Sequence, residues 1–188
     1  MARSTQTDFL LNARFWVRAD VSGEDVLQPG DHGGGSDSSP QAGFNACSVP
    51  EGTTELVKYR EGHYIYERAQ LGLPTMANIT LSRGVAKTDT AFYLWWKAGA
   101  EGGGGLQGVR GDLYIKHFHR DDALRGAGVS RFNPLENQAS REYLVHEALP
   151  TRHKVSADLD ATANEISIAD LEVGYEWYEI LEHNVPSA

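Results

Sequence analysis

Short stretches with apolar residues at every second position recur along the chain, which is the spacing of β-strands whose two faces meet different surroundings. In residues 13–19, ARFWVRA, the apolar positions alternate with arginine and tryptophan. We predict further strands at Phe44–Val49, Glu55–Arg60, Asp112–His119, Tyr143–Ala148, His153–Ser156, Glu165–Ile168 and Leu171–Trp177. The apolar phase slips between the last two, which indicates a bulge at Ala169–Asp170. The chain is therefore mainly β.

One stretch has helical spacing instead. Residues 78–82 alternate like a strand, Arg-Gly-Val breaks the pattern, and residues 88–90, Thr-Asp-Thr, resemble a helix start. Phe92, Trp95, Trp96 and Gly99 then lie three and four apart, so they share one stripe of a helix. Because so much aromatic area has to be buried, the stripe is expected to pack against the sheet or against another copy of the chain.

These elements predict one domain over residues 1–188, with a small antiparallel β-barrel or sandwich and one flanking α-helix. Two segments rich in Gly, Ser, Asp and Pro, at about 22–43 and 121–140, are predicted as long loops. The hairpin of the REGHYIYERAQLGLP segment, residues 60–74, lies between two of the predicted strands.

The bulk properties exclude several classes of function. A net charge of −9 argues against specific nucleic-acid binding, which depends on clustered Lys and Arg. The sequence has no apolar run long enough for a membrane anchor and no segment resembling a signal peptide, so synthesis in the cytoplasm is expected. The single cysteine, Cys47, cannot form an internal disulfide and is expected to be an inert thiol.

Catalytic patterns are weak. His117 and His119 point the same way in a strand and form a possible metal pair, but no spacing recommends a third ligand, so structural histidines are favoured. The acidic segment 158–165, DLDATANE, starts no calcium loop, because the glycine at the sixth loop position and the glutamate at the twelfth are missing. No Gly-x-Ser-x-Gly motif occurs. We therefore predict no catalytic, cofactor or metal site and no enzyme activity.

Amphipathic aromatic residues point to a different role. Trp16 stands between Arg14 and Arg18 on the strand face opposite the apolar one, and several tyrosines lie in the predicted strands and hairpins. Tyr, Trp and Arg are enriched at protein–protein interfaces. The alternative is an ordinary β-domain with scattered exposed aromatics.

The ordered series of motifs resembles the tail-tube proteins of contractile phages, the inner-tube proteins of phage-like contractile injection systems and type VI secretion tube proteins. The motifs are ARFWVRADV at residues 13–21, ELVKYREG at 55–62, LGLP at 71–74, ANITLSRGVAKTDTAFYLWW at 77–96 and EALPTRHKVSADLDATANEISIADLEVGYE at 147–176. The series runs in order through nearly all of residues 9–180. The segments 22–43 and 121–140 are longer than is usual in that family and stand as insertions.

The resemblance implies a structural inner-tube protein. Its hexameric rings would stack into a hollow conduit for DNA or protein cargo, which sheath contraction drives out. The implied partners are other copies of the chain, the sheath protein, baseplate or spike-hub proteins and cargo in the lumen, all within a phage tail or tail-like particle. The alternative is a non-polymerising ring adaptor, tube initiator or cargo-docking protein of the same particle.

The resemblance also implies where subunits meet. The segment from Tyr59 to Tyr66 would be an arm that reaches an adjacent ring, and the Arg-Gly-Val corner would position the aromatic helix beside a neighbour. The candidate residues of the subunit and ring interfaces are Tyr59, Arg60, Tyr64, Tyr66, Arg83 and Trp96.

Overall fold

The computed structural model describes residues 15–21, 24–27, 44–85, 90–101, 109–118, 139, 141–159 and 165–181, with the backbone alone for 24–27. This part of the chain contains ten strands and one helix. They are β1 (Phe15–Val21), β2 (Glu24–Leu27), β3 (Phe44–Cys47), β4 (Glu51–Tyr59), β5 (Arg68–Ala77), β6 (Ile79–Gly84), α1 (Ala91–Ala100), β7 (Gly111–His117), β8 (Arg141–Lys154), β9 (Ile168–Gly174) and β10 (Trp177–Leu181).

Eight strands form one antiparallel sheet in the order β2-β1-β7-β8-β9-β6-β3, with β10 paired to β8 beside this path. The first half of β8 pairs with β7 and β10, and its second half pairs with β9. The sheet therefore folds over along β8 into two layers. The predicted mainly β fold with one flanking helix is confirmed, and of the two forms expected it is sandwich-like. The order ends at β2 and β3, which do not pair with each other among the described residues.

The core lies between the two layers and is built from the alternating positions of the strands. One layer contributes Val17 and Leu113, and the other contributes Leu81, Leu171 and Val173, all fully buried. Because side chains alternate across a strand, the polar residues between these positions face outward. The period-two pattern of the sequence therefore reports the inner face of the sandwich.

Helix α1 closes one side of this core with its aromatic stripe. Phe92 and Trp95 are buried, and Trp96 is half-buried against the same cluster. The Trp95 indole N–H donates to the carbonyl oxygen of Val109 at 2.9 Å, so its polar atom is satisfied inside the core. The expected burial against the chain's own sheet is confirmed for these three residues. Of the predicted start at 88–90, Thr90 directly precedes α1 but makes no side-chain capping hydrogen bond, while Thr88 and Asp89 lie outside the described residues.

The predicted strand 143–148 ends too early, since β8 runs from Arg141 through Pro150 to Lys154. Proline lacks the N–H that a regular ladder needs, and it is tolerated where a bulge interrupts the ladder. The pairing of β8 with β9 shifts register between Pro150 and Arg152, which provides such a place. Two predicted strands, 143–148 and 153–156, are thus parts of one.

The predicted bulge at Ala169–Asp170 is also wrong. Strand β9 passes regularly through these residues, and the break comes at 175–176, before β10. The backbone N–H of Glu176 still bonds the carbonyl of His146 at 3.3 Å, so β9 and β10 follow β8 as one broken strand. The alternating residues of the predicted strand Leu171–Trp177 therefore do not all share one buried face. Leu171 and Val173 are buried, whereas Trp177 stacks on the outside against His146, with ring centroids 3.9 Å apart.

Two further predictions need correction. Trp16 is not an exposed indole among charges, because it is buried in a small second cluster with Phe118 and Ala139. Residues 24–27 form strand β2 inside the segment predicted as the loop 22–43. The remainder of that loop, and all of 121–140 except Ala139, lie outside the described residues.

The core predicts a stability difference between two leucines. Leu171→Ala removes a fully buried side chain and should lower the free energy of unfolding by about 2–5 kcal/mol. Leu94→Ala makes the same chemical change on the exposed side of α1 and should cost about 0.5 kcal/mol or less. Urea unfolding followed by tryptophan fluorescence measures both. Equal losses would contradict the inner-face assignment.

Candidate assembly surface

Strands β4 and β5 form a separate two-stranded hairpin, residues 51–77, which we call the arm. Every residue of β4 is exposed, and so is every residue of β5 except Gly72 and Met76. The two strands pack on each other and make no extended contact with another described strand or with α1. A ten-residue strand spans roughly 30 Å, so the arm projects far from the sandwich.

Both faces of the arm carry exposed apolar side chains. Leu56 and Leu71 lie directly opposite each other on one face, and Val57 lies on the other face opposite Gln70. Leu71 and Leu73 are 77% and 85% exposed. Isolated two-stranded hairpins are marginal in water, and contiguous exposed apolar surface marks an interaction site. The arm is thus an incomplete structural element in the single chain.

The base of the arm is fastened to the sandwich by Tyr175. Its phenol oxygen accepts a hydrogen bond from the backbone N–H of Glu51 at 3.0 Å and donates to the carbonyl of Glu51 at 3.2 Å. Burial raises the pKa of Tyr175, which keeps the phenol protonated and able to donate. The root of the arm is therefore fixed, whereas the rest of β4 and β5, which we call the shaft, makes no extended contact with another described strand or with α1.

The tip of the arm, residues 60–67, has its own local order. The backbone N–H of Tyr64 bonds the carbonyl of Glu61 at 3.0 Å, which closes a turn. The Arg68 guanidinium carbon lies 5.4 Å from the Tyr64 ring centroid, and Tyr64 meets Tyr66 edge to face at 6.3 Å. These contacts hold the tip in one shape before any partner arrives.

Four of the six interface candidates lie on the arm. Tyr59, Arg60, Tyr64 and Tyr66 are all exposed there, within one continuous surface. The sequence did not single out the apolar residues of the shaft, including Leu71 and Leu73. The leucines on both sides of Gly72 were visible in the sequence as alternating apolar positions. Alternation alone, however, does not show whether a strand pair packs on a core within its own subunit.

Arg83 and Trp96 occupy a different place, the joint between α1 and the sheet. Arg83 is 3% exposed, and its guanidinium carbon lies 3.8 Å from the Phe92 ring centroid. Trp96 faces the half-buried imidazole of His153 at 6.2 Å, and Phe92 meets His153 edge to face at 6.4 Å. Both side chains pack within this subunit. Their direct contact with a neighbouring subunit therefore stays a prediction.

The weak metal hypothesis gains no support from the described residues. His117 lies at the end of β7 opposite Phe15 and Arg141, while His119 and most of 158–165 lie outside the described residues. Where the structure describes the chain, no three His, Cys, Asp or Glu side chains cluster closely enough to hold a metal ion. Burial raises the pKa of Cys47 to about 12, so its thiol is not activated.

A search for membrane-spanning helices gives no candidate, since α1, the helix of the described residues, is neither long nor apolar enough to cross a bilayer.

Comparison with known families gives one match that covers most of the chain. The family model described as T4-like virus tail tube protein gp19 matches residues 12–179. The chain belongs to this family. It is a tail tube protein, as its ordered motifs indicated. No curated protein matches it in sequence.

Solved structures share the fold of this tail tube protein at low sequence identity. A chain in the structure of the anti-feeding prophage baseplate, six-fold symmetrised, has a TM-score of 0.66 and 16% identity, over 95% of this chain and 99% of that one. A chain of the extracellular contractile injection system PVC sheath–tube complex in the extended state has a TM-score of 0.66 and 18% identity, over 97% and 100%. A chain of the anti-feeding prophage tube-terminating cap has 0.63 and 22%, over 97% and 100%.

The Tyr175 contact predicts a local change at the arm of the tail tube protein. Tyr175→Phe removes the phenol oxygen and both of its hydrogen bonds to the Glu51 backbone, and it should speed amide hydrogen exchange at the first residues of β4 by about 5- to 100-fold. Tyr178→Phe is the matched control, since no hydrogen bond joins Tyr178 to the arm among the described contacts. Exchange by mass spectrometry on unassembled protein measures both, and equal exchange in the two variants would contradict the fastening.

The joint under α1 predicts a pH dependence of stability. Burial, and then the nearby charge of Arg83, lower the pKa of His153 below its ordinary 6.5. At pH values between the lowered pKa of His153 in the native protein and its ordinary pKa in the unfolded chain, the unfolded chain binds more protons than the native one. The free energy of unfolding should therefore fall as pH drops below about 6.5.

His153→Gln removes the titrating group and should flatten this slope, while His63→Gln, which changes an exposed imidazole of the arm tip, should leave it. Urea midpoints between about pH 5 and 8 measure the slope, a window that brackets the ordinary histidine pKa. A slope that survives in His153→Gln would show that another group carries it.

Proposed function

We propose that this protein builds the wall of a hollow tube. Six copies close into a ring, rings stack, and the stack is the inner tube of a phage tail or a phage-tail-like contractile injection system. The tube carries DNA or protein cargo and is driven out when a surrounding sheath contracts. The observation that carries the proposal is the arm, an ordered hairpin that has no partner surface within its own described subunit.

Energetics support the assembly. Each Leu or Val buried on the arm contributes roughly 1.5–3 kcal/mol when it leaves water. The shaft exposes four such side chains on its two faces. Their burial by a partner therefore contributes a large favourable free energy. A neighbour that adds a strand to the arm also pairs a strand edge that otherwise invites aggregation. Completion of the arm by another copy is therefore the simplest source of its stability.

A ring follows from the kind of contact. An arm that packs on a different surface of the next subunit makes a heterologous contact, and such contacts either close into rings or continue without limit. The similar chain in the anti-feeding prophage baseplate comes from a six-fold symmetrised structure, and another comes from a sheath–tube complex. These likenesses support six subunits in a ring and a sheath and a baseplate as the partners of the tube.

The net charge is compatible with transport of nucleic acid. A chain with a net charge of −9 repels phosphate on average. A conduit needs cargo to slide without binding, so this sign suits a DNA-carrying lumen. The role is structural rather than catalytic, and it requires no cofactor.

A second candidate is a ring that stops the tube or adapts it to another component. The similarity to a chain of the anti-feeding prophage tube-terminating cap favours it, at 22% identity over the whole of that chain. The same fold then forms one or two rings and does not polymerise further.

Negative-stain electron microscopy across a concentration series separates the two candidates. Six-fold rings that stack into open-ended tubes support the main tube role. Single or double rings that never stack support the adaptor, and a monomer at every concentration contradicts both.

The shaft of the arm predicts an assembly defect. Leu71→Asp with Leu73→Asp places charges on exposed apolar positions, so the folded subunit should keep its stability while assembly is lost. Leu71→Met with Leu73→Met preserves apolar area and should assemble normally. Circular dichroism checks the fold and electron microscopy checks the rings. Normal tubes from the aspartate variant would exclude the shaft as an interface.

A further inference from the structure

The root of β4 rests on a short segment of the sandwich, residues 174–178, which we call the arm seat. It runs from the last residue of β9 into the start of β10. The Tyr175 phenol bonds the Glu51 backbone at the start of β4. A Cβ added to Gly52, the next residue, would lie 3.7 Å from the ring of Tyr178. The first strand of the arm is therefore in contact with the arm seat by hydrogen bonding and by packing.

The root of β5 meets the same segment. Asn78 joins the end of β5 to the start of β6. Its side-chain oxygen would lie 3.5 Å from a Cβ added to Gly174, the first residue of the arm seat, which is an ordinary van der Waals distance. Because both strands of the arm are rooted on the arm seat, any change in the position of this segment acts on both roots.

Glu176 holds the middle of the arm seat to the rest of the sandwich. Its backbone N–H bonds the carbonyl of His146 at 3.3 Å, which is longer than most such bonds. Its carboxylate accepts a hydrogen bond from Nη1 of Arg110. Hydrogen bonds between charged groups are stronger than neutral ones. The guanidinium group of Arg110 is therefore the firmer of these two contacts.

Arg110 is itself held in place from two directions. The same Nη1 atom donates to the carboxylate of Glu147 on β8 at 3.1 Å. Directly before Arg110, the carbonyl oxygen of Val109 accepts the hydrogen bond of the buried Trp95 indole. Because the core and β8 both fix Arg110, it can hold the arm seat without a large movement of its own.

We propose that Arg110 is a positioning residue for the arm: it fixes the arm seat through Glu176, and through Tyr175 it keeps the arm roots in one position before assembly. A partner that receives a preorganised arm loses less conformational entropy on binding. Arg110 therefore lowers the concentration at which subunits assemble. This last step rests on the proposed function, whereas the effect on the arm roots is a property of the single subunit.

Amide hydrogen exchange on the unassembled protein tests the effect within the subunit. Arg110→Ala and Glu176→Ala should each speed exchange at both arm roots, residues 51–54 and 76–78, by about 2- to 5-fold, the effect of one partly exposed ion pair. Unchanged exchange at the roots in both variants would overturn the proposal.

Two controls separate positioning from a general loss of stability. Lys97→Ala removes an ion pair of similar exposure, with Glu101 on α1, and should leave the arm roots unchanged. Exchange at residues 169–173 of β9 reports on the core and should stay the same in every variant. If these core amides speed up as much as the roots in Arg110→Ala, Arg110 is only a structural residue and the proposal is wrong.

Two further variants test the route from Arg110 to the arm. Glu147→Gly removes the other carboxylate, and glycine adopts the φ of 54° at this position without strain, so the roots should keep their exchange rates. Arg110→Ala added to Tyr175→Phe should exchange at the β4 root no faster than Tyr175→Phe alone, because changes along one path are not additive. Additive effects, or loosened roots in Glu147→Gly, would exclude this route.

Electron microscopy across a concentration series tests the effect on assembly. Arg110→Ala should raise the concentration at which rings appear by about 2- to 5-fold, and Glu147→Gly should leave it unchanged. Faster exchange at the roots with an unchanged assembly concentration would overturn the role in assembly. If the unaltered protein forms no rings at any concentration, the proposed function fails, and the exchange measurements still decide whether Arg110 positions the arm.

Discussion

The bend of β8 at Glu147 is the point on which both layers of the sandwich depend. Glu147 has a φ of 54°, a left-handed conformation that is unfavourable for this residue type and is sustained only by its surroundings. Arg110 supplies part of them, because its guanidinium group bonds the carboxylate of Glu147 at 3.1 Å and also that of Glu176. These hydrogen bonds, to Glu176 and then to Glu147, raise the pKa of Arg110, whose guanidinium group is charged at its ordinary pKa already.

The contact of Arg110 with both carboxylates links the bend of β8 to the break between β9 and β10. Glu147 lies where β8 passes from one layer to the other, and Glu176 lies at the break between β9 and β10. One guanidinium group therefore joins both bends. With the layers set in this way, Leu113 and Leu171 belong to one core, α1 covers one side of it, and Tyr175, directly after β9, reaches the base of the arm.

The sequence predicted well those features that a local pattern determines. Alternation identified the buried face of β9 through Leu171 and Val173, and helical spacing identified Phe92 and Trp95 as buried. The sequence also placed tyrosines in a polar hairpin tip, where the structure exposes Tyr64 and Tyr66, and their role in an interface stays a prediction.

Features set by long-range contacts were missed. Pro150 ended a predicted strand because local rules exclude it from a regular ladder, and only the partner strand reveals the register shift that accommodates it. Trp16 was predicted to be exposed because alternation does not show that Phe118 and Ala139 cover it. The shaft of the arm read as an ordinary strand pair, since its leucines follow the same pattern whether a core or a neighbouring subunit faces them. Arg83 reads as a surface cation in sequence, and only the packed helix shows it buried above Phe92.

The exposed arm leaves the single chain structurally incomplete, and the proposed function completes it with a neighbouring copy. If the arm of one copy packs on a different surface of the next, the contact is heterologous, and a heterologous contact that does not close into a ring contains no signal to stop. A tube built through such contacts would expose unfilled arms at one of its ends. A defined length would then have to come from a component that covers these arms. Such a component could keep the sandwich fold and change a single surface.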